Sequence, residues 1–383
     1  MSGSARKLRV LVVSLGRRGG VTEYGWFMSQ ALSRHCEVAA VSSASAENRE
    51  RWTKLRGTHL EVPTFSDVLG LLLSFLMVWR FARIKRFADE FAPDVIFYPG
   101  GHAWKPLLDL VLPRGAITVL TVHDPELHRG EDSVAHRALD AANRVRVDGY
   151  VLLNRAQRDG FIARHRLDPA RTTVIPLGVF DELVEAYAPL SEVPGLRNLA
   201  GYSGSYALFV GRIQLYKGID TLLEAYASLK SARDLPLVIA GAGRFSVRES
   251  ELLRVLEGRP VFVFNRWLSD VELCSLVAAA RFAVLPYASA TQSGIIPLTS
   301  AFGVPAIASD VGGIAEQVVD NVTGVLFPAG DTSALASAIE RAFGMSDEDY
   351  AEMSATCRAY ARENWAWDPL AKRLVEFFEM LRG

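Results

Sequence analysis

The sequence has only three cysteines, Cys36, Cys274 and Cys357, far apart and without a CxxC pair. So sparse and odd a set argues against a disulfide framework and against structural zinc, and it fits a reducing cytoplasm. Net charge is nearly absent: 42 Lys and Arg stand against 43 Asp and Glu, a formal charge of −1. Without a broad basic field the chain is not a general nucleic-acid binder, although a local anion pocket stays open. No apolar run reaches the about 20 residues of a spanning helix. The start, MSGSARKLRVLVVSLG, is too short in apolar residues for a signal peptide and ends in a glycine turn. It reads as a first buried strand. GxGxxG and GK[ST] are both missing from the first glycine turn, so neither a dinucleotide fingerprint nor a P-loop stands there. There is also no short-period repeat and no low-complexity segment.

What remains is a long, core-rich chain. Its 383 residues, half of them hydrophobic, predict two or three domains with ample core and no extended disorder. Short apolar runs closed by Gly, Ser or Asp alternate with helical patterns, the signature of βαβ units and parallel sheets. In the first half, strands are predicted at Leu8–Ser14, Val38–Val41, Val95–Tyr98, Ile117–Val122, Gly149–Leu153 and Thr173–Pro176, with helices over Tyr24–Arg34 and Leu72–Phe91. The pattern restarts at Tyr206–Val210 and yields six further strands, ending at Val325–Phe327. The fold class is therefore α/β, with two doubly wound halves. The stretch Ala188–Gly204, rich in Pro and Gly, is the best linker.

Three loops have the parts of an anion or sugar site. SLGRRGGVTEY joins a strand to a helix through Gly19 and Gly20, and glycine lets backbone N–H groups approach a phosphate at a helix N-terminus. A tight turn alone would explain the glycines equally well. In VGRIQLYKGID a strand ends at Gly211, and Arg212 and Lys217 frame the loop before a helix. An Arg fork and a Lys point charge there suit a diphosphate, against the plainer reading of two solvated cations. The third, YASATQSGIIPLTSAFGVPAIASDVGGIAE, has a small-residue turn over Ser289–Gly294, then a helix over Ile296–Phe302, then a Gly-Gly turn followed by Glu316.

In this order VGRIQLYKGIDTLLEA, AGAG, NRWLSDVEL, SGIIPLTSAFGVPAIASDVGGIAEQV and NVTGVLFPAGD resemble the retaining GT-B glycosyltransferases of family 4. The likeness is strong over residues 205–335. It is weaker in the first half, where GRRGGVTEY, TVHDPELH and VIPLGV carry it. It implies two Rossmann-like domains facing across a cleft: residues 1–187 on the acceptor side, 205–364 holding the nucleotide-sugar, and a closing helix, 365–383, packed back on the first. Arg212 and Lys217 would bind the donor diphosphate and stabilise the leaving nucleotide, so no metal and no further cofactor is expected. The acidic DED at 347–349 sits in a helical context and does not read as a metal motif.

By the same resemblance Gly19 and Gly20 lie over the phosphates, Gly211 and Glu316 belong to the donor site, and His123 touches the donor sugar. His128 and Glu131 shape the acceptor side. The family's two glutamates at the helix after the small-residue turn are replaced by Ala290 and Leu298, so Gln292, Ser293, Gly294 and Ile295 would receive the donor through backbone amides and short side chains. This departure bears on donor identity more than on activity. The lead reading is transfer of a hexose from a UDP- or GDP-sugar to a saccharide or lipid-linked acceptor. A sugar-nucleotide epimerase of the same fold and a non-catalytic sugar-nucleotide-binding protein are the alternatives.

One run stands apart. Leu69–Trp79, LGLLLSFLMVW, is almost wholly apolar and is followed by Arg80, Arg83, Lys85 and Arg86. It is either a helix buried on the sheet, a dimer contact, or a peripheral membrane contact through Leu69–Arg86, apolar side in the headgroup boundary and cations on anionic lipid.

Overall fold

The structure, a computed structural model, describes residues 6–65, 67–125, 133–230 and 234–383. The chain divides into two compact units, one holding the described residues through Gly178 together with Trp367–Gly383, the other Val179–Ala366.

In the first unit the described strands are β1 (Arg9–Ser14), β2 (Glu37–Ser43), β3 (Thr58–Val62), β4 (Val95–Tyr98), β5 (Ile117–Val122), β6 (Gly149–Leu152) and β7 (Thr172–Val174). They form one parallel sheet in the order β3-β2-β1-β4-β5-β6-β7. The helices are α1 (Gly20–His35), α2 (Arg49–Trp52), α3 (Val68–Leu76), α4 (Val78–Phe91), α5 (Lys105–Val111), α6 (Val134–Asn143) and α7 (Arg158–His165). Strand residues are apolar on both faces, as a sheet covered on both sides requires. Leu11, Val13, Ile96, Tyr98 and Leu120 belong to a core cluster with Phe81, Ile84 and Ala88 of α4 and Leu108 of α5.

In the second unit the strands are β8 (Tyr206–Val210), β9 (Leu237–Ala240), β10 (Val261–Phe264), β11 (Ala280–Leu285), β12 (Ala306–Asp310) and β13 (Gly324–Pro328), in the parallel order β10-β9-β8-β11-β12-β13. The helices are α8 (Ile219–Ser228), α9 (Val247–Val255), α10 (Asp270–Ala278), α11 (Ile295–Ala301), α12 (Thr332–Phe343) and α13 (Asp347–Asn364). Both α9 and α10 start on reciprocal Ser–Glu caps, Ser246 with Glu249 and Ser269 with Glu272, each of which satisfies two otherwise orphaned amides. The chain then returns to the first unit as α14 (Trp367–Arg382), where Trp367 stacks on Phe27 with ring centroids 5.5 Å apart and Phe378 meets Phe97.

Four features differ from the sequence expectations. Strand β3 was not anticipated: it is an edge strand whose apolar signal is only Leu60 and Val62, alternating with polar residues. The stretch expected as one helix over Leu72–Phe91 is two, broken at Met77 (φ −85°, ψ 60°). Residues 188–204 are no free linker, for Leu190, Val193, Leu196 and Leu199 are buried in the second unit. Their spacing of three places them on one side of a tight, 3₁₀-like path. Passage between the units falls instead at Gly178–Val179 and again at Ala366–Trp367. Finally, α3 is not a buried helix, since Leu69, Leu72, Leu73 and Leu76 are 47–76% exposed. Among the described residues no helix is long and apolar enough to cross a membrane.

A buried ionic cluster ties α5 to the sheet. Lys105 Nζ donates to Asp109 Oδ2 at 2.6 Å and to the Val145 carbonyl, and the Tyr98 hydroxyl donates to Asp109 Oδ1 at 3.0 Å. Burial pulls the Lys105 ammonium below its ordinary pKa and pushes the Tyr98 phenol well up. Removing one partner of such a pair strands the other charge, at about 3–5 kcal/mol. Asp109→Ala is expected to lose that much in denaturant unfolding, and Lys105→Met combined with Asp109→Leu to recover most of it.

Candidate active site

In a parallel α/β sheet the loops that bind ligands leave the carboxyl ends of the strands. In the second unit β8, β11 and β12 deliver all the singled-out residues to that edge. After β8, Gly211 leads to the exposed Arg212, and a short 3₁₀ turn, Leu215–Lys217, precedes α8. Gly218 caps α8 in the left-handed region (φ 65°), where a Cβ would lie 1.9 Å from the Pro286 carbonyl oxygen. Only glycine permits that approach. It seats Lys217 beside β11: Nζ lies 3.7 Å from the centre of the Tyr287 ring and 5.1 Å from that of Tyr216. The two π faces hold the ammonium without neutralising it.

The small-residue turn after β11 is fixed by a side chain that the sequence reading passed over. Gln317 accepts from the Ser293 amide at 2.9 Å and donates to the Ser293 carbonyl at 3.0 Å. Ser293 Oγ accepts from the Ile295 amide at 3.2 Å and lies 3.4 Å from the Tyr287 hydroxyl. Of the amides expected to meet a donor, those of Ser293 and Ile295 are thus engaged within the protein, and the Gly294 amide is the next along the turn. Gln292 stands half-buried beside them. From β12 the Gly-Gly turn closes on the same loop. Gly312 is left-handed (φ 52°), and a Cβ there would meet the Ala290 carbonyl oxygen at 1.9 Å. Ala290 and Leu298 are both buried. Glu316 is exposed, one residue before Gln317.

In the first unit Gly19 (φ 79°) caps α1, Gly20 opens it, and the preceding Arg18 pairs with Glu47 at 3.1 Å. His123 follows β5. Its Nε2 lies 2.7 Å from the Pro99 carbonyl oxygen, and the ring meets Tyr24 edge to face with centroids 5.2 Å apart. A carbonyl only accepts, so the hydrogen is on Nε2 and Nδ1 is the acceptor. Burial lowers the pKa of His123 and keeps the ring neutral around pH 7. His128 and Glu131 lie outside the described residues. Among the described residues no group of three or more His, Cys, Asp or Glu side chains could hold a metal.

The two halves match two family profiles: residues 18–183 that of Glycosyltransferase Family 4, and residues 203–364 that of Glycosyl transferases group 1. Both describe glycosyltransferases, and the two parallel sheets give the chain the GT-B fold. The chain belongs to the family 4 glycosyltransferases of that fold. An uncharacterised glycosyltransferase of Methanocaldococcus jannaschii is 29% identical over 45% of this chain and 44% of its own length. The match therefore spans less than half of that relative. A D-inositol 3-phosphate glycosyltransferase of Xylanimonas cellulosilytica is 29% identical over 95% of this chain and 92% of its own. In fold the chain is similar to HepE of Anabaena, solved with UDP and glucose, at a TM-score of 0.74 and 17% identity over 97% of this chain and 99% of that one.

Gln317 has no catalytic chemistry of its own, and the sequence signal for it was only its place after the Gly-Gly turn. Gln317→Leu is expected to free the 289–294 turn and raise the Kd for nucleotide-sugar about thirty-fold. Two hydrogen bonds at about 1 kcal/mol each set that scale, and calorimetric titration measures it.

Proposed function

We propose that the protein transfers a hexose from a UDP- or GDP-sugar, with retention and without a metal ion, to a saccharide or lipid-linked acceptor. Such a reaction serves polysaccharide, glycolipid or glycoside biosynthesis on the cytoplasmic side of a membrane, with peripheral contact through the segment Leu69–Arg86. The observation that carries this reading is the edge of the second sheet in a family 4 chain. There Arg212, Lys217, the Ser289–Gly294 turn and Glu316 converge from three neighbouring strands.

The chemistry follows from charge. As the sugar–phosphate bond breaks, negative charge grows on the leaving diphosphate, and preorganised cations lower that barrier most. Lys217, held on two rings, and Arg212 take this role. Gly19, Gly20, Gly211, Gln292, Gly294 and Glu316 hold the donor, and Ser293 and Ile295, whose amides are engaged within the protein, shape the turn that presents them. His123, neutral and with its Nε2–H donated to the Pro99 carbonyl, positions the sugar rather than carrying a proton. In a retaining front-face transfer the acceptor's proton passes largely onto the leaving phosphate. His128 and Glu131 are assigned to the acceptor side.

Incubation with a panel of UDP- and GDP-sugars, without acceptor and then with saccharides and inositol phosphate, tests the reading. Slow donor hydrolysis and acceptor-dependent transfer are expected. Free interconversion of sugars would make the protein an epimerase, and binding without turnover a binding protein. Lys217→Ala is expected to lose 10²–10³-fold in kcat, the scale for one transition-state donor, with an unchanged circular dichroism spectrum. Wild-type rates in that variant would refute the diphosphate assignment. His123→Ala is expected to lower kcat by about 10²-fold at an intact fold, the scale of a misplaced substrate, and an unchanged kcat would make the ring structural.

A further inference from the structure

His123 follows β5 by one residue, past the last paired position of the strand, and is half-buried. The outer torsion of a histidine is broad and roughly two-fold, so contacts from elsewhere must set the plane of the ring. The Pro99 carbonyl holds Nε2 at 2.7 Å. That bond by itself leaves the plane free to turn about the N–H direction. The second constraint is Tyr24 of α1, whose ring meets His123 at 88° with centroids 5.2 Å apart. One contact along the N–H and one across the plane together select a single orientation.

Tyr24 is itself firmly placed. It is fully buried, and its hydroxyl lies 3.2 Å from Thr121 Oγ1. Thr121 and His123 are two residues apart, and Tyr24 reaches both, as the two-residue period of a strand allows. The next residue of α1, Gly25, runs so close to the sheet that a Cβ would lie 2.3 Å from Ser14 Oγ and 3.5 Å from Pro99 Cβ. One turn of α1 therefore sets both partners of the histidine, the ring across it and the residue that accepts its hydrogen.

That turn is held in place by the returning helix. The Trp367 indole lies 8° from parallel with Phe27 and tilts against Tyr24 at 5.8 Å. It also lies flat on Gly178, where a Cβ would fall 2.3–2.7 Å from three of its ring atoms. Other residues anchor α14 as well: Leu370, Leu374 and Phe378 are buried, and Asp368 takes Arg34 and His35 of α1. Trp367 adds a contact of another kind. Both places where the chain passes between the units, after Gly178 and before Trp367, meet under this one indole.

We propose that Tyr24 and Trp367 are positioning residues for the transfer reaction: the indole, seated on Gly178, holds α1 so that Tyr24 fixes the plane of His123 for the donor sugar. This rests on the glycosyltransferase reading and on the contact of His123 with the donor assigned there. Neither ring is assigned a contact with substrate, and both act through the histidine. A change in the backbone at Gly178 therefore reaches His123 through two rings.

Mutant cycles on donor hydrolysis test this, with the UDP- or GDP-sugar that the wild-type protein hydrolyses fastest. Tyr24→Leu and Trp367→Ala are each expected to lower kcat about ten-fold, less than loss of the imidazole itself, with KM within about two-fold. In a His123→Ala background the same substitutions are expected to change kcat by less than about two-fold, because residues that act as a unit are not additive. Tyr24→Phe and Trp367→Phe keep the ring contacts and are expected to stay within about three-fold of wild type. Gly178→Ala, which alters neither Tyr24 nor His123, is expected to match Trp367→Ala and to add nothing to it. Full additivity with His123→Ala overturns the proposal, as do phenylalanine variants as impaired as Tyr24→Leu and Trp367→Ala. Should Tyr24→Leu fail to fold, Trp367→Ala and Gly178→Ala carry the same cycle.

A second readout needs no turnover. Burial lowers the pKa of His123 while the neighbouring Asp124 carboxylate works the other way, and no substitution here touches Asp124. In protein isotopically labelled at histidine Cε1, the NMR signal of His123 is assigned by its loss in His123→Ala. Removing the Tyr24 wall admits water, so in Tyr24→Leu that signal is expected to titrate about half a pH unit or more above its wild-type midpoint. Trp367→Ala is expected to move it in the same direction, and the phenylalanine variants to leave it in place. A midpoint unmoved in both Tyr24→Leu and Trp367→Ala overturns the positioning role. If the wild-type protein hydrolyses no donor, the enzymatic reading falls, and this titration alone decides whether the two rings hold the histidine.

Discussion

The constraint on which the rest of this molecule depends is that its strands are parallel. A parallel sheet needs a helix on every crossover, and the helices cover both faces. The strands must then be apolar on both sides, and the only places left for polar, chemically active residues are the loops at strand ends. In the second unit this concentrates Gly211, Arg212, Lys217, Ser293 and Glu316 at one edge. In the first it sets the α1 glycines, His102 and His123 at the corresponding edge. Each unit therefore places its chemistry by topology before any side chain is chosen.

Loops of small residues gain precision only if something else holds them. Gly218 and Gly312 allow backbone to pass within contact of Pro286 and Ala290, where any side chain would push the loops apart. Gln317 then fixes the Ser293 peptide at both its N–H and its carbonyl. Tyr287 serves twice, as the π surface under Lys217 and as a neighbour of Ser293 Oγ. The loop beside Lys217 is tied to the segment entering the 289–294 turn by this ring and by the Ala288 amide, which donates to the Tyr216 carbonyl at 2.8 Å. A cation held on rings keeps its full charge for a ligand, whereas a cation in an ion pair such as Lys85–Asp89 has it already answered.

The sequence made most of this legible because alternation of apolar strand and glycine turn is a local signal. Strands such as Val95–Tyr98 and Ile117–Val122 begin and end at the predicted residues. What escaped was whatever depends on partners distant in sequence. The alternation in β3 is too short to stand out until β2 pairs with it. Gln317 acquires its role only because a 3₁₀ turn after β12, Gly312–Ile314, brings it over a peptide 24 residues earlier. The 188–204 segment looked like a linker from its prolines and glycines, yet its apolar residues at intervals of three find a core in the second unit. Composition reported the turns faithfully and said nothing of what they pack against.

The leucines of α3 show the opposite case, where local reasoning met a real conflict. Fully burying a leucine is worth about 1.5–3 kcal/mol, so a chain that leaves four of them in water forgoes several times that. The helix is not loose for want of anchors: Asp67 caps its start, Leu71 packs on the core, and Ser74 is bonded to the buried Trp104. Its orientation is thus fixed by the residues that turn inward, and the outward leucines follow from it. A helix held this firmly with its greasier face outward is consistent with a surface specified for contact rather than one left over from packing.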